Sequence, residues 1–364
     1  MIGRSVLFQG ARLPLEIASA EIDPPRGGEV LVRVACCTLC RSDLHTHAGR
    51  RIEPTPNVLG HEVVGHIEAF GPDAARCDGA GRPASVGDRI TWSVAVGCGS
   101  CYFCRTADLP QKCASPYKYG HRRSGDDRPS GGGLADFVLL LPRTYWLRVP
   151  DELPDTVAAS ANCATATAAA LLRAAGPVAG QTVVVLGAGV LGVTVCAMAR
   201  AAGANVVVAS DPVANCRRRA TEFGATHTFS ADIGELTDGV RGLTDNRGAD
   251  VVVELAGYAS TTKAAVALAR PGGTVLLAGT VAPVGTIELD PEDVVRRMLT
   301  IRGVHNYHPR DLAAALTFLA GAGRKYPWRS LVTAEYPLDQ AEQAFAAARD
   351  RPGERVAVLP GPTN

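Results

Sequence analysis

The sequence predicts an α/β protein with an irregular, mainly β domain and a second domain built on a doubly wound parallel sheet. Short strand-like runs, broken at close intervals by Gly, Pro and Asp, occupy the first part of the chain. Strand and helix patterns then alternate regularly from Gln181 onward. The length of 364 residues allows two domains with separate cores. We predict the first domain at 1–163 and 304–364 and the second at 164–303.

Composition argues against several classes of function. A net charge of +1 and a pI near 7.6 give no electrostatic case for nucleic acid or an anionic membrane as a partner. The N-terminal segment reaches Gly10 too soon for a signal-peptide core, so we expect a cytoplasmic protein. The uncharged run from Thr182 to Ala199 approaches membrane length, but glycines divide it into a strand and the start of a helix. Eleven cysteines without a secretion signal favour metal ligands or free thiols over disulfides.

The first domain begins with alternating apolar patterns. Glu29 to Ala35, Ile67 to Phe70 and Arg89 to Val96 are typical of strands. Turn residues separate them, which favours a compact barrel with long loops. The polar, glycine-rich stretch 117–133 predicts an exposed loop, after which Leu134 to Pro150 returns to strand.

One pair of residues in this domain has the chemistry of half a catalytic zinc site. Cys40 and His61 offer the thiolate and imidazole that tetrahedral zinc prefers, and Asp43 is suited to orient His61. Ser42 and His45 add a hydroxyl and an imidazole that can pass a proton from a buried site to solvent. The alternative is a buried structural cysteine beside two ordinary histidines.

Four further cysteines form the strongest single signal in the chain. Four thiolates at such short spacings predict a closed tetrahedral zinc site, which staples a loop and leaves no position for a substrate. The alternative is a cluster of free cysteines or a redox pair. The cysteines are Cys98, Cys101, Cys104 and Cys113, so the predicted zinc lobe is 98–113.

The helical pattern from Pro154 to Ala175 contains one more cysteine, Cys163. Its position at the change of architecture suits a ligand that reaches the catalytic zinc. Taken alone, a lone cysteine in an apolar helix is also typical of plain core packing.

A dinucleotide-binding motif opens the second domain. The strand Thr182 to Leu186 is followed by Gly187-Ala188-Gly189-Val190-Leu191-Gly192, which opens a helix, and the next strand ends at Asp211. The glycines let the backbone and the helix N-terminus approach a pyrophosphate. Asp211 can accept both adenosine ribose hydroxyls and would repel a 2′-phosphate, so NAD is favoured over NADP.

Later patterns extend the parallel sheet and end in a tail that we expect to fold back onto the first domain. The predicted strands are His227 to Phe229, Val251 to Leu255, Thr274 to Ala278, Leu299 to Val304 and Arg355 to Leu359, and the predicted helices are Ile233 to Leu243, Ser260 to Ala269, Asp311 to Ala320 and Leu338 to Ala347.

Together these motifs resemble the zinc-dependent medium-chain alcohol dehydrogenases over essentially the full chain. The resemblance implies a GroES-like catalytic domain split around a Rossmann domain, and reversible NAD-dependent interconversion of an alcohol with an aldehyde or ketone. It also implies a homo-oligomer, either a dimer or a tetramer. Each chain would hold one catalytic and one structural zinc, the catalytic ligands being Cys40, His61 and Cys163.

The resemblance further implies roles around the cofactor. Ser42 would start a proton relay, the nicotinamide ribose would carry it and His45 would release the proton. Glu62 would approach the metal during ligand exchange. The implied cofactor contacts are Arg41 and Arg355 with the pyrophosphate and Thr167 with the nicotinamide.

A narrower resemblance concerns the substrate. Segments 162–167, 110–113, 118–121 and 303–307 resemble a subgroup of dehydrogenases associated with phosphonate metabolism. In the family the residue five beyond the last lobe cysteine lies near the substrate, and here it is Lys118. With His121, His305 and Asn306 it predicts a small alcohol or aldehyde that carries a phosphonate, phosphate or carboxylate. The alternative is a set of solvated loop charges, in which Asp126 and Asp127 neutralise Arg122 and Arg123.

Two other functions fit the same fold. One is a zinc-free reductase of quinones or enones, and the other is a non-catalytic scaffold or binding protein. The presence of all three ligand types argues against the reductase. The complete ligand set, the relay residues and Asp211 argue against the non-catalytic protein.

Overall fold

The computed structural model describes residues 1–124 and 131–361, so Asp126 and Asp127 lie outside the described residues. The chain forms two compact units. The first consists of Met1–Cys163, His308–Ala320 and Trp328–Asn364, and the second of Ala164–Tyr307 and Gly321–Pro327. Among the described residues, no helix combines the length and apolar character needed to span a membrane.

The first unit begins with short strands and short helices. These are β1 (Ile2–Phe8), β2 (Glu16–Glu21), β3 (Val30–Thr38), α1 (Arg41–His47), β4 (Asn57–Val58), β5 (Glu62–Phe70), β6 (Arg89–Trp92), β7 (Ala95–Val96), α2 (Tyr102–Arg105), β8 (Tyr117–Lys118), β9 (Phe137–Leu140), β10 (Trp146–Arg148) and α3 (Asp155–Ala158).

The second unit alternates helices and strands, and the chain then returns to the first unit. The second unit contains α4 (Ala164–Ala175), β11 (Thr182–Leu186), α5 (Val190–Ala201), β12 (Val206–Ser210), α6 (Ala214–Glu222), β13 (His227–Phe229), α7 (Ile233–Leu243), β14 (Ala249–Glu254), α8 (Ala259–Leu268), β15 (Ala269–Leu277), α9 (Pro291–Arg296) and β16 (Thr300–Gly303). The returning elements are α10 (Pro309–Ala320), β17 (Val332–Pro337), α11 (Ala341–Arg349) and β18 (Arg355–Leu359).

Strand β3 is central to the first unit. Its sheet has the order β10-β6-β5-β3-β18-β17, with β9 also paired to β3, and a smaller sheet has the order β2-β1-β4. The alternation at Val30, Val32 and Val34 predicts one buried face, yet Leu31 and Cys37 are buried as well. The strand is therefore covered on both faces for much of its length. The loop that follows it leads directly into α1 and fixes the position of Cys40.

The second unit is built on a six-stranded parallel sheet. Its order, β13-β12-β11-β14-β15-β16, is 3-2-1-4-5-6 when the strands are numbered within the unit. Every pair in it is parallel. All five residues of β11 are buried, which is why its sequence is a continuous apolar run without alternation. The predicted α/β class and doubly wound sheet are confirmed.

The expectation of an exposed loop at 117–133 was wrong for most of its described part, although Arg122 and Arg123 are exposed. Tyr117–Lys118 is a strand that pairs with β7, and Tyr119 is only 1% exposed. The Tyr119 hydroxyl lies 2.6 Å from Thr144 Oγ1 and accepts a hydrogen bond from the Leu141 amide at 2.9 Å. At Gly132 a Cβ atom would collide with the Val58 carbonyl. The glycines permit close packing of one backbone segment on another. Composition alone does not distinguish glycines that serve such packing from glycines in an exposed loop.

Candidate functional site

A helix N-terminus organises the first candidate metal centre. Cys40 is the N-cap of α1, and its amide donates to Asp43 Oδ2 at 2.9 Å. The other carboxylate oxygen of Asp43 lies 3.0 Å from His61 Nδ1. Asp43 has no solvent exposure and His61 only 3%. Because Nδ1 faces the carboxylate, Nε2 of His61 remains as the nitrogen that can bind a metal.

Cys163 completes a group of three ligands within the first unit. It follows the 3₁₀ turn Ala159–Asn162, which is anchored because Asn162 Nδ2 donates to the Trp92 carbonyl at 2.8 Å. The sulfurs of Cys163 and Cys40 are 3.9 Å apart. Ligand atoms of Cys40, His61 and Cys163 all lie within 4.8 Å of one another. Three buried or half-buried donors therefore converge on one point.

The spacing of this group fits zinc. Two sulfurs at about 2.3 Å from a tetrahedral ion are separated by about 3.8 Å, close to the observed 3.9 Å. The interaction with Cys163, followed by the charges of Arg355 and His61, holds the pKa of the Cys40 thiol well below its usual value. Three protein ligands leave one position of a tetrahedral ion open to a substrate.

Two groups beside the centre can move a proton. Ser42 Oγ lies 3.3 Å from His61 Nε2 on the side where the metal would bind. His45 is half-buried one turn further along α1. Burial, followed by the positive charges of Arg41 and Arg50, lowers the pKa of His45, so its ring is neutral at pH 7 and can accept a proton.

A buried ion pair between Arg355 and Glu62 lies next to Cys40. Arg355 Nε and Nη2 bind the two carboxylate oxygens of Glu62 at 2.7 and 2.8 Å. Thr38 Oγ1 donates to Glu62 at 2.7 Å, and Arg355 Nη2 lies 3.8 Å from Cys40 Sγ. The sequence did not predict this pairing, because its members are nearly 300 positions apart. The pairing occupies two nitrogens of Arg355, and its predicted pyrophosphate contact stays a prediction.

The four-cysteine cluster forms a second candidate metal centre. Its ligand atoms also lie within 4.8 Å of one another, and Cys101 Sγ is 3.6 Å from Cys104 Sγ and 3.9 Å from Cys113 Sγ. Backbone amides point at the sulfurs; the Cys98 amide, for example, is 3.2 Å from Cys113 Sγ. Hydrogen bonds from Ser100, followed by that from the Cys101 amide, lower the pKa of Cys98 to about 5. Four thiolates that enclose one point fit a zinc without an open position.

The glycine-rich turn of the second unit has the geometry of a phosphate-binding turn. Gly187 has φ of +99°, a value that favours glycine. A Cβ on Gly192 would strike the Gly187 carbonyl, whereas a Cβ on Gly189 would meet nothing within 4 Å. Gly192 therefore serves close packing, and the space beside Gly189 is open. Leu191, in the first turn of α5, is half-buried.

Asp211 directly follows β12 and faces this turn. Its Oδ2 accepts a hydrogen bond from the Ala188 amide at 2.9 Å, and its Oδ1 accepts one from the Val213 amide at 2.9 Å. Each oxygen retains a second acceptor site for a ribose hydroxyl. Thr167 lies half-buried on α4, and Arg41, in the first unit, is exposed.

The predicted substrate residues are divided between the units. Lys118 and His121 belong to the first unit, whereas His305 and Asn306 belong to the second. The rings of His121 and His61 are 4.8 Å apart. Asn306 has φ of +56°, and among the described residues its buried Nδ2 has no hydrogen-bond partner.

Sequence reasoning missed Arg51 and Glu53, which lie in the same region of the first unit as His121. Arg51 Nε is 2.7 Å from Glu53 Oε1, and His121 Nδ1 is 3.2 Å from that same oxygen. No spacing rule connects these positions. The only available signal was the density of charge between Arg50 and Glu53.

Comparisons with known proteins identify relatives over the whole chain. Residues 26–151 match the family model of the alcohol dehydrogenase GroES-like domain, and residues 190–321 match that of zinc-binding dehydrogenases. The chain is 32% identical to 5-exo-hydroxycamphor dehydrogenase of Pseudomonas putida over 328 residues, which are 89% of each protein.

Two solved structures show the same fold. The structure of an alcohol dehydrogenase from Thermotoga maritima superimposes with a TM-score of 0.92 at 27% identity, covering 99% of this chain and 100% of that one. A dehydrogenase structure from Sinorhizobium meliloti bound to NADP has a TM-score of 0.84 at 28% identity, covering 99% and 100%. The predicted combination of GroES-like and Rossmann domains is confirmed.

Proposed function

The chain belongs to the zinc-dependent medium-chain alcohol dehydrogenases and is an oxidoreductase acting on CH–OH groups, and from this premise we propose that it uses NAD to interconvert an alcohol and an aldehyde or ketone. The observation that carries the proposal is the convergence of Cys40, His61 and Cys163 with a hydroxyl 3.3 Å from His61 Nε2. This arrangement provides three ligands, an open fourth position and a proton acceptor beside it.

Each residue of the centre has a distinct task. When bound by Cys40, His61 and Cys163, zinc supplies a Lewis acid that makes a hydroxyl group far more acidic. Asp43 fixes the ring of His61 through Nδ1. Ser42 is placed to take the hydroxyl proton, and His45, neutral at pH 7, to receive it for release to solvent. The route from Ser42 to His45 through the nicotinamide ribose follows from family resemblance.

Asp211 supports NAD as the preferred cofactor. Its carboxylate already has a fixed orientation because two backbone amides donate to it. Ribose hydroxyls can donate to its remaining acceptor sites, whereas the 2′-phosphate of NADP would meet a like charge. The related structure from S. meliloti holds NADP, and kcat/KM measured with each cofactor tests the preference of this chain.

We place a structural zinc in the four-cysteine cluster and propose a small anionic substrate. The anionic substrate is supported by the half-buried Lys118 and by His121, whose ring packs against that of the ligand His61. His305 and Asn306 are proposed as further contacts, and a phosphonate-bearing alcohol or aldehyde as the first substrate to test. A homo-oligomer, either a dimer or a tetramer, completes the proposal.

One experiment separates this function from its alternatives. Metal analysis is combined with a screen of alcohols and aldehydes in the presence of NAD(H) or NADP(H). The proposal predicts about two zinc ions per chain and turnover of alcohols with NAD. A reductase of quinones or enones would reduce those compounds with about one zinc or none, and a scaffold protein would bind zinc without turnover. Either result would overturn the proposal.

A further inference from the structure

A charged cluster lies beside the candidate catalytic centre, within the first unit. Arg51 and His121 both approach one oxygen of Glu53, at 2.7 and 3.2 Å. The His121 ring is buried, and its Nδ1 is the atom that faces Glu53. The same ring is 4.8 Å from that of His61. The cluster is therefore one imidazole ring away from a predicted metal ligand.

The cluster contains more positive than negative charge. The charges of Arg51 and Glu53 both act on Lys118, whose pKa is lowered by burial and then by Arg51. Burial alone would raise the pKa of Glu53, but His121, followed by Arg51 and Lys118, keeps it below its usual value. Glu53 is thus a charged carboxylate. Two cations, Arg51 and Lys118, therefore share a single anion.

The side chains are held in place but not sealed from solvent. The side-chain exposure is 24% for Arg51, 11% for Glu53 and 7% for His121. Partial burial strengthens the field of the cations, because less water screens it. A guanidinium bound through Nε keeps its terminal nitrogens available for a second, planar oxyanion contact.

We propose that Arg51, with Lys118, binds the anionic group of the substrate, and that Glu53, held between Arg51 and His121, is the internal counter-ion that keeps this subsite together in the free enzyme. The inference rests on the proposed dehydrogenase function and assigns its specificity to a residue that no motif identifies. The ligand is a short alcohol or aldehyde whose tetrahedral or planar oxyanion lies a few bonds from the reacting carbon. Arg51 acts on binding and has no part in the chemical step.

The test compares Arg51→Gln with the wild type in two assays. In the first, calorimetric titration with methylphosphonate measures anion binding without turnover. In the second, steady-state kinetics compare 2-hydroxyethylphosphonate and 3-hydroxypropanoate with the neutral 1-propanol. We expect Arg51→Gln to weaken methylphosphonate binding at least tenfold and to raise KM for the anionic alcohols to the same extent. We also expect kcat for all three alcohols and KM for 1-propanol to change less than twofold.

Two variants serve as controls. Arg50→Gln removes the same charge from the exposed neighbouring residue and should leave the ratio of anionic to neutral kcat/KM unchanged. Arg51→Lys keeps the charge and should recover part of the binding. A larger loss with phosphonate than with carboxylate would identify a tetrahedral oxyanion as the preferred group, and the reverse a carboxylate.

The anion subsite and the dehydrogenase activity can be lost or retained independently in these assays. Equal loss on neutral and anionic alcohols, an equal effect of Arg50→Gln, or no methylphosphonate binding by the wild type would each overturn the role of Arg51 while alcohol oxidation persists. If no alcohol is oxidised with either cofactor, yet methylphosphonate binds and Arg51→Gln weakens that binding tenfold, the anion subsite holds and the dehydrogenase function is wrong.

Discussion

Breaking the ion pair between Glu62 and Arg355 should destabilise the first unit severely. Both side chains are buried, at 0% and 9% exposure, and two hydrogen bonds of 2.7 and 2.8 Å join them. In Arg355→Met, the buried Glu62 would lose its counter-ion and keep only Thr38 as a hydrogen-bond donor among the described residues, so it would either hold an unpaired charge or be forced to take up a proton. Removing one member of such a pair costs about 3–5 kcal/mol, chiefly because the remaining charge is uncompensated.

The loss of unfolding free energy in Arg355→Met can be measured by calorimetry and urea unfolding at saturating zinc. For a unit of this size, each kcal/mol lowers Tm by about 2–4 °C, so we expect a decrease of about 6–20 °C. Glu62→Gln should also be destabilising, because Arg355 is then left charged. The double variant Glu62→Gln/Arg355→Met should be more stable than the sum of the single effects implies, since it leaves no buried charge.

An exposed arginine provides the matched control. Arg296 pairs with Glu292 at 2.7 Å, and the two side chains are 77% and 67% exposed. Arg296→Met should change the free energy of unfolding by less than about 0.5 kcal/mol. If Arg355→Met cost less than 1 kcal/mol, or if the effects of the two single variants were simply additive, our account of this pair as a coupled buried unit would be refuted.

Three further predictions concern the metal lobe, the proton path and the cofactor. Cys101→Ser should release one zinc equivalent and lower Tm, because a structural site contributes folding energy directly; metal analysis and calorimetry measure both. His45→Gln should lower kcat about 10²-fold at pH 7, and in the wild type kcat should decline only below pH 6.5, because burial and then Arg41 lower the pKa of His45; a pH profile of alcohol oxidation tests this. Asp211→Gly should reduce the ratio of kcat/KM with NAD to kcat/KM with NADP at least tenfold. The ribose of NAD would lose its hydrogen-bond acceptors, and the 2′-phosphate of NADP would no longer be repelled by a carboxylate.

Each of these predictions has a contradicting outcome. An unchanged Tm for Cys101→Ser would mean that its lobe does not contribute to folding. A His45→Gln enzyme with wild-type kcat at all pH values would remove His45 from the proton path. Equal use of both cofactors by the wild type would show that Asp211 does not select NAD.

Local patterns were enough to predict the parallel sheet of the second unit. Strand β11, the helix after Gly189 and the strand that ends before Asp211 follow from short-range rules of apolar runs, glycine turns and helix starts. Helix α6 (Ala214–Glu222) was missed because three consecutive arginines interrupt its apolar periodicity. Strand β2 was missed for a similar reason, since its sequence EIASAE contains a single large apolar residue.

Long-range packing explains what the sequence could not predict. Arg355 reaches Glu62, and His121 reaches Glu53, through the fold of the first unit and not through any spacing in the chain. The role of Gly132, which packs against the Val58 carbonyl, depends equally on a distant partner. By contrast, Cys40 and His61 were recognisable because zinc selects residue types that few other functions require together.

The central claim is that Cys40, His61 and Cys163 hold the zinc on which turnover depends, and His61→Ala tests it most directly. Zinc per chain and NADH formation with a substrate alcohol are measured on the same preparation, alongside the wild type. We predict that the variant loses about one of two zinc ions, keeps the fold through its four-cysteine lobe, and loses NADH formation by at least 10³-fold. Wild-type turnover by a His61→Ala enzyme that has lost this zinc would contradict the account.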